Sequence, residues 1–178
     1  VASFFASLIS LVKYMADPLE RLPAITFWLM GSLASASLRD LRMALPPMLF
    51  GIGGLMAVRW RINVLSMGEE EAQALGVDTQ RLNAWLIICS TLATAAAVCV
   101  SGVIGFVGVV IPHIARILVG PDHKALLPAS LALGGAYFIL IDDVARSVTT
   151  SEIPLSILTG IIGTPIFAYL LHRGTGWE

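Results

Sequence analysis

The chain is strongly apolar and almost neutral. It has 178 residues, of which 57% are hydrophobic and 13% are charged, with a formal net charge of −1 and a mean hydropathy of +0.85. Soluble domains carry about 25% charged residues, so this composition indicates a protein embedded in lipid. The charge gives no electrostatic case for nucleic-acid binding, and the length suggests a single domain.

Six apolar segments recur along the chain at lengths near those of membrane-spanning helices, which need about 20 apolar residues. Two of them reach 19 residues without a charge, three are 16-residue segments that flanking residues could extend, and the first looks like the truncated end of a span. In chain order they are 1–12, 43–58, 82–100, 103–118, 126–141 and 153–171. We therefore predict an all-α, polytopic transmembrane helical bundle with about six spans.

Segment 22–38 is also uncharged, but it is rich in glycine and serine, with Gly31, Ser32, Ser35 and Ser37 close together. This composition favours a short helix plus a loop at the membrane surface. A seventh span stays open as the alternative.

The longest polar insertion predicts two short helices around a tight turn. Ser66 and Glu69 have the spacing of a capping box at the start of the first helix. Gly76 is a natural stop, and Asp78 or Thr79 can cap the second helix. A rigid helical connection between two spans can transmit force from a partner, although a solvated acidic helix without a partner is the plainer alternative.

Three glycines at i, i+3 and i+6, Gly102, Gly105 and Gly108, predict one bare helix face on which a neighbouring helix packs closely. Pro112 should bend that helix, which is tolerated in a membrane where neighbours satisfy the freed carbonyl. A metal site at the polar residues that follow, His113, Arg116 and His123, is disfavoured because prolines interrupt regular helix there and no cysteine lies near them. We expect no metal ligation.

The last two predicted spans each carry one further signal. Asp142 and Arg146 lie four residues apart, so they share a helix face and could pair. Charges this close to a span are costly and often functional. Gly160 and Gly163 form a small-residue stripe that favours close helix packing in the final span.

The motifs together carry a family resemblance. Segments 16–33, 63–77, 102–127, 126–146 and 151–171 resemble, in order and spacing, the type II ABC importer permeases that take up iron–siderophore chelates, haem and vitamin B12. Members of that family are considerably longer, and this chain is similar to their second half. The resemblance implies one transmembrane permease domain over residues 1–178, the C-terminal part of a longer permease in the cell inner membrane.

The resemblance also implies an orientation and a set of contacts. The C-terminus would be cytoplasmic, the helix within 22–38 would be extracytoplasmic, and the polar insertion would form a coupling helix pair on the cytoplasmic ATPase. The residues implied in ATPase coupling are Ser66, Met67, Gly68, Glu69, Glu70, Ala72, Leu75 and Gly76.

Two further sites follow from the same resemblance. Arg146 would lie at the extracytoplasmic mouth and receive acidic residues of a substrate-binding protein, for which its planar guanidinium is suited; a purely local pair with Asp142 is the alternative. The residues implied in lining the pathway are Phe4, Ser7, Leu8 and Leu11; a lipid-facing position or ordinary core packing is the alternative for each of them.

The expected function is therefore import by a permease subunit that works as a homodimer in the bilayer. The chain has no GxxxxGK[ST] phosphate-binding loop, so we expect it to bind no cofactor and a partner subunit to hydrolyse ATP. For the cargo, the breadth of the resembled family favours an iron–siderophore; haem, cobalamin and an oxyanion such as molybdate stay open. A membrane scaffold or channel without nucleotide coupling is the alternative, and an enzyme is disfavoured because no GxSxG or HExxH occurs and adjacent Asp142 and Asp143 diverge on a helix.

Overall fold

The computed structural model describes residues 1–33, 36–148 and 152–173, and every regular element in these ranges is an α-helix. The prediction of an all-α protein is confirmed. In chain order the helices are α1 (Ala2–Met15), α2 (Arg21–Leu29), α3 (Leu38–Leu65), α4 (Glu69–Ala74), α5 (Thr79–Ser101), α6 (Val107–Val119), α7 (His123–Ser147) and α8 (Leu155–Arg173).

Three helices, α3, α5 and α7, are long and apolar enough to cross a membrane. They have 28, 23 and 25 residues, so at 1.5 Å per residue they reach about 42, 35 and 38 Å. They contain the predicted spans 43–58, 82–100 and 126–141, extended by flanking residues as expected. The apolar helices α1, α6 and α8 are shorter, and the count of six spans stays a prediction.

Helix α2 has nine residues and is therefore about 14 Å long, too short to cross the hydrocarbon core. Within the described residues of 22–38 the structure has the expected short helix followed by non-helical chain rather than a span. Positions 34 and 35 of that loop lie outside the described residues.

The chain after α2 binds the ends of two other helices. Ser32 N–H donates to Ser101 O at 3.0 Å, at the end of α5, and Leu155 N–H donates to Gly31 O at 2.9 Å, at the start of α8. Ser156 Oγ donates to Val103 O at 2.6 Å. These bonds gather α2, α5 and α8 at one end of the bundle.

The predicted glycine stripe is wrong. Gly102 is the C-cap of α5 with φ +70°, Gly105 lies in the following non-helical segment, and α6 begins only at Val107. A left-handed glycine ends a helix at little cost, so the residue that could have opened a packing face terminates the helix instead. Gly102 still permits a close approach, because a Cβ there would lie 3.0 Å from Gly31 Cα.

The small residues of the last helix contact a loop side chain and not the neighbouring helix that was predicted. Phe106, the N-cap of α6, has φ +65°, and its side chain lies against α8. A Cβ at Gly163 would be 2.8 Å from Phe106 Cβ, and one at Gly160 would be 4.0 Å from Phe106 Cε2. The small-residue stripe therefore receives a loop aromatic ring. Pro112 lies inside α6, as predicted.

The tightest helix pair, α3 with α5, rests on glycines that the sequence analysis did not use. A Cβ at Gly51 would lie 2.5 Å from Cys89 O and 2.9 Å from Ala93 N, and one at Gly54 would lie 2.5 Å from Cys89 Sγ. Trp85 Nε1 donates to Gly54 O at 3.4 Å. The spacing i, i+3 of these two glycines was the available signal for a small-residue helix interface.

The helices define two ends of the bundle. Helix α4 connects the end of α3 to the start of α5, and the turn between α6 and α7 lies at that same end. The opposite end holds the last turn of α7, the start of α8 and the chain after α2, around a buried cluster of Ile141, Ala145 and Leu155. Glu70 and Arg146 therefore lie at opposite ends of the bundle.

Candidate functional site

The connection from α3 to α4 differs from its prediction. Ser66 is the C-cap of α3 with helical backbone angles, and its Oγ donates to Asn63 O at 2.7 Å. The N-cap of α4 is Gly68. The predicted capping box of Ser66 and Glu69 is wrong because α3 continues to Leu65 and leaves Ser66 inside its final turn.

Gly68 has a role that only glycine can fill. Its φ is +129°, a backbone conformation that residues with a Cβ rarely adopt. Glu69, Glu70 and Glu71 occupy the first turn of α4, as the sequence indicated. Negative charge in the first turn favours the positive end of the helix dipole.

The turn from α4 to α5 forms as predicted. Gly76 has φ +79°; its N–H donates to Gln73 O at 2.9 Å, and Val77 N–H donates to Ala72 O at 3.0 Å. This pair of bonds is the Schellman ending of a helix. Asp78 then caps α5 by accepting from Arg81 N–H at 3.0 Å.

We call residues 66–78 the α4 turn. Its exposed side chains include Met67 and Leu75, with 67% and 65% of their surface accessible, beside the exposed Glu69 and Glu70. Ala72, which the resemblance implied in ATPase coupling, is fully buried, so its side chain packs into the protein and is not on the exposed surface of the turn. The remaining coupling candidates are thus brought together on one compact, capped turn.

A polar contact that the sequence analysis missed joins this end of α3 to the turn between α6 and α7. Asn63 Nδ2 donates to Asp122 Oδ1 at 2.5 Å. Asn63 Oδ1 accepts from His123 N–H at 2.8 Å and lies 2.8 Å from His123 Nδ1, so that ring nitrogen carries the proton. We call Asn63, Asp122 and His123 the Asn63 latch.

Neighbouring groups reinforce the latch. Arg59 Nη1, one turn earlier on α3, donates to Lys124 O at 3.2 Å. The backbone N–H of Lys124, followed by the Asn63 amide, lowers the pKa of Asp122 below its ordinary value by stabilising the carboxylate. The end of α3 that leads into the α4 turn is therefore fixed to the start of α7.

At the opposite end of the bundle, Arg146 lies in the last turn of α7. Its Nε donates to Asp142 Oδ2 at 2.9 Å, and 48% of the Arg146 side-chain surface stays accessible. The local pair that the sequence left as an alternative therefore forms. Because half of the guanidinium side chain remains open, the pair does not occupy all of its donors.

The other candidates are not brought into either site. Phe4, Ser7, Leu8 and Leu11 are exposed on α1, which buries none of its residues. Among the described residues no group of three or more His, Cys, Asp or Glu is arranged to hold a metal ion. His123 contacts Asn63 in the Asn63 latch.

Known permeases are similar to this chain over most of its length. Residues 1–173 match the FecCD transport family. The molybdate import system permease protein MolB of Haemophilus influenzae is 43% identical over 173 residues, which are 97% of this chain and 51% of MolB. The cobalamin import system permease protein BtuC of Halobacterium salinarum is 46% identical over 146 residues, which are 82% of this chain and 39% of BtuC.

A solved structure, described as an inward-facing conformation of a metal-chelate type ABC transporter, matches with a TM-score of 0.90 at 45% sequence identity. The match covers 96% of this chain and 56% of that one. The chain thus spans about half the length of the proteins it matches. We conclude that it belongs to the FecCD transport family, as a multi-pass protein of the cell inner membrane.

Proposed function

We propose that the chain is part of the permease subunit of an ABC importer, in which the α4 turn receives the movement of a cytoplasmic ATPase. The observation that carries this proposal is the construction of the α4 turn. A short helix stopped by Gly76 and followed directly by the Asp78 cap presents exposed apolar and acidic side chains at the end of two long apolar helices. A loop that only connected two spans would need neither a short helix nor a cap at each of its ends.

The Asn63 latch supports the same proposal. Displacement of the α4 turn acts first on α3 and α5, to which it is joined by the chain. Because Asn63 and Arg59 hold the end of α3 against the start of α7, the same displacement reaches α7, the third long helix. The ATPase would thereby favour one arrangement of the bundle over another.

The complete transporter would contain two permease copies, two ATPase subunits and an extracytoplasmic binding protein that docks at Arg146. The chain itself would bind no cofactor, and ATP would be used by the partner. For the cargo we favour an iron–siderophore or a related metal chelate, including haem and cobalamin. The metal-chelate type of the matched structure supports this class, while the molybdate relative keeps an oxyanion as the competing cargo. Residues 1–178 would form one transmembrane domain.

The test is co-purification of the full-length permease with its cognate ATPase from detergent. Glu69→Lys/Glu70→Lys reverses two exposed charges on the α4 turn and should strongly reduce the ATPase recovered. The matched control, Glu20→Lys/Glu152→Lys, makes the same change in charge at exposed positions outside the turn and should leave recovery unchanged. If both double variants recover the same amount of ATPase, the assignment of the α4 turn to ATPase coupling is wrong. A channel or scaffold without nucleotide coupling would then be the better interpretation.

A further inference from the structure

A cavity of about 580 Å³ opens beside the α4 turn, between the last turns of α3 and the first turns of α5. One wall is residues 75–78 of the α4 turn. The walls from α3 and α5 combine aliphatic, aromatic and basic side chains, which are Val58 and Leu82, Trp60 and Trp85, and Arg61 and Arg81.

The aromatic wall is held in place. Trp85 Nε1 donates to Gly54 O at 3.4 Å, and its ring meets Phe50 edge to face at a centroid distance of 6.0 Å. Trp60 is 56% exposed. Tryptophans with one apolar and one polar edge are typical of the level at which a membrane meets water.

The basic groups of the cavity are only partly neutralised. Arg81 pairs with Asp78 at 2.9 Å, but 89% of its side chain remains exposed. Arg61 makes no ion pair within the part of the chain that the structure describes. One carboxylate thus faces two guanidinium groups among the lining residues, which leaves the cavity positive.

Arg61 lies on a different face of α3 from Arg59. Arg59 reaches toward α7, and two residues along a helix rotate a side chain by about 200°. The cavity therefore lies on the face of α3 that points away from the latch. Glu69, Glu70 and Glu71 do not line it, so the acidic surface of the α4 turn does not compete for the arginines.

The depth of the cavity matches a lipid headgroup. Trp85 lies six residues into α5, about 9 Å along the helix axis, and α3 is about 12 Å longer than the hydrocarbon core is thick. In a bilayer crossed by α3 and α5, Val58 and Trp85 would lie nearer the centre than Arg61 and Arg81, by about 4.5 and 6 Å along the helix axes. Basic pockets between spans on the cytoplasmic side bind anionic headgroups.

We propose that this cavity binds the phosphate headgroup of an anionic phospholipid, with Arg61 and Arg81 on the phosphate and Trp60 and Trp85 beside the glycerol and upper acyl chain. The binding needs no transport and no ATPase, so its failure is separable from failure of the proposed function.

The experiment is a titration of delipidated full-length permease with phosphatidylglycerol, followed by native mass spectrometry. Arg61→Gln/Arg81→Gln should weaken the tightest phosphatidylglycerol site by about fivefold for each arginine removed. Arg39→Gln/Arg42→Gln, a matched charge loss at exposed positions near the other end of α3, should leave that site unchanged. Arg61→Lys retains the positive charge and should retain most of the affinity, which separates charge from misfolding.

Two further arms identify the ligand. Phosphatidylcholine should bind the site more weakly than phosphatidylglycerol. Inorganic phosphate should not displace the lipid at matched ionic strength; displacement would mean a free-phosphate site. Equal losses in the two arginine double variants would also overturn the proposal.

Discussion

Gly102 provides the sharpest stability test of the described arrangement, because one methyl group is expected to loosen the end of the bundle where α2, α5 and α8 meet. Gly102 has φ +70°, and a Cβ there would overlap Trp28 O and lie 3.0 Å from Gly31 Cα. The obstructing atoms belong to backbone, so no side-chain rotation relieves the overlap.

The magnitude of the Gly102→Ala effect follows from two terms. Placing a non-glycine residue in the left-handed region costs about 1–2 kcal/mol. Moving segment 30–32 away weakens its hydrogen bonds to Ser101 and to Leu155, which are 3.0 and 2.9 Å long, and each such bond contributes about 1 kcal/mol net. We expect destabilisation of about 3 kcal/mol, which corresponds to roughly a 150-fold change in the unfolding equilibrium.

Gly105→Ala is the matched control on the same loop. Its φ is not in the left-handed region, and a Cβ there would have no neighbour within 4 Å. We expect it to change stability by less than about 0.5 kcal/mol. The assay is equilibrium unfolding of both variants in mixed detergent micelles, followed by helical circular dichroism. If Gly102→Ala is as stable as Gly105→Ala, the described approach of the chain after α2 to Gly102 is wrong.

The remaining predictions concern the latch and the docking arginine. Asn63→Asp sets a second carboxylate against Asp122 and should reduce cargo-stimulated ATP hydrolysis by the complete transporter. The double variant Asn63→Asp/Asp122→Asn restores an amide–carboxylate pair and should recover that activity. Equal defects in both variants would show that the pair does not transmit movement. The pKa of Asp122 lies below its ordinary 3.8, so its carboxylate stabilises the fold above that pH and the stabilisation is lost as pH falls through the lowered value. Between about pH 6 and about pH 3 the free energy of unfolding of the wild type should therefore fall more than that of Asp122→Asn in the same assay. If the two fall in parallel, the Asp122 carboxylate does not stabilise the fold. Arg146→Glu should abolish or strongly weaken binding of the extracytoplasmic binding protein in surface plasmon resonance, while Arg42→Glu, exposed on α3, should not; unchanged affinity for Arg146→Glu would leave only the local pair.

The parts of the fold that depend on neighbours in sequence were predictable. Gly76 and Asp78 stop one helix and start the next through hydrogen bonds among residues within five positions of each other. The neighbouring sequence is therefore enough to predict this turn. The apolar length of α5 is likewise a property of one segment. Helix existence and turn chemistry at the α4 turn therefore followed from the sequence.

At two other positions the local sequence is compatible with two different structures. Glycine at Gly102 suits both a packed helix face and a left-handed helix end, and the sequence does not say which will form. The role of Ser66 depended on whether α3 ended before it or continued through it. In both cases the length of the preceding helix decided the outcome.

The Asn63 latch had no local signal at all. Asn63 and His123 are 60 positions apart, and only the packing of α3 beside α7 brings them together. Asp122 reads locally as the cap of a helix, which it also is. A long-range polar contact of this kind appears only once the arrangement of the helices is known.

The central claim is that long apolar helices cross the bilayer and carry the α4 turn and Arg146 to opposite sides. The direct test is labelling of single cysteines in full-length permease with a membrane-impermeant maleimide, in a cysteine-free background that includes Cys89→Ala and Cys99→Ala. Glu70→Cys should react only from the cytoplasmic side and Ser147→Cys, beside Arg146, only from the outside. Labelling of both positions from one side would contradict the account.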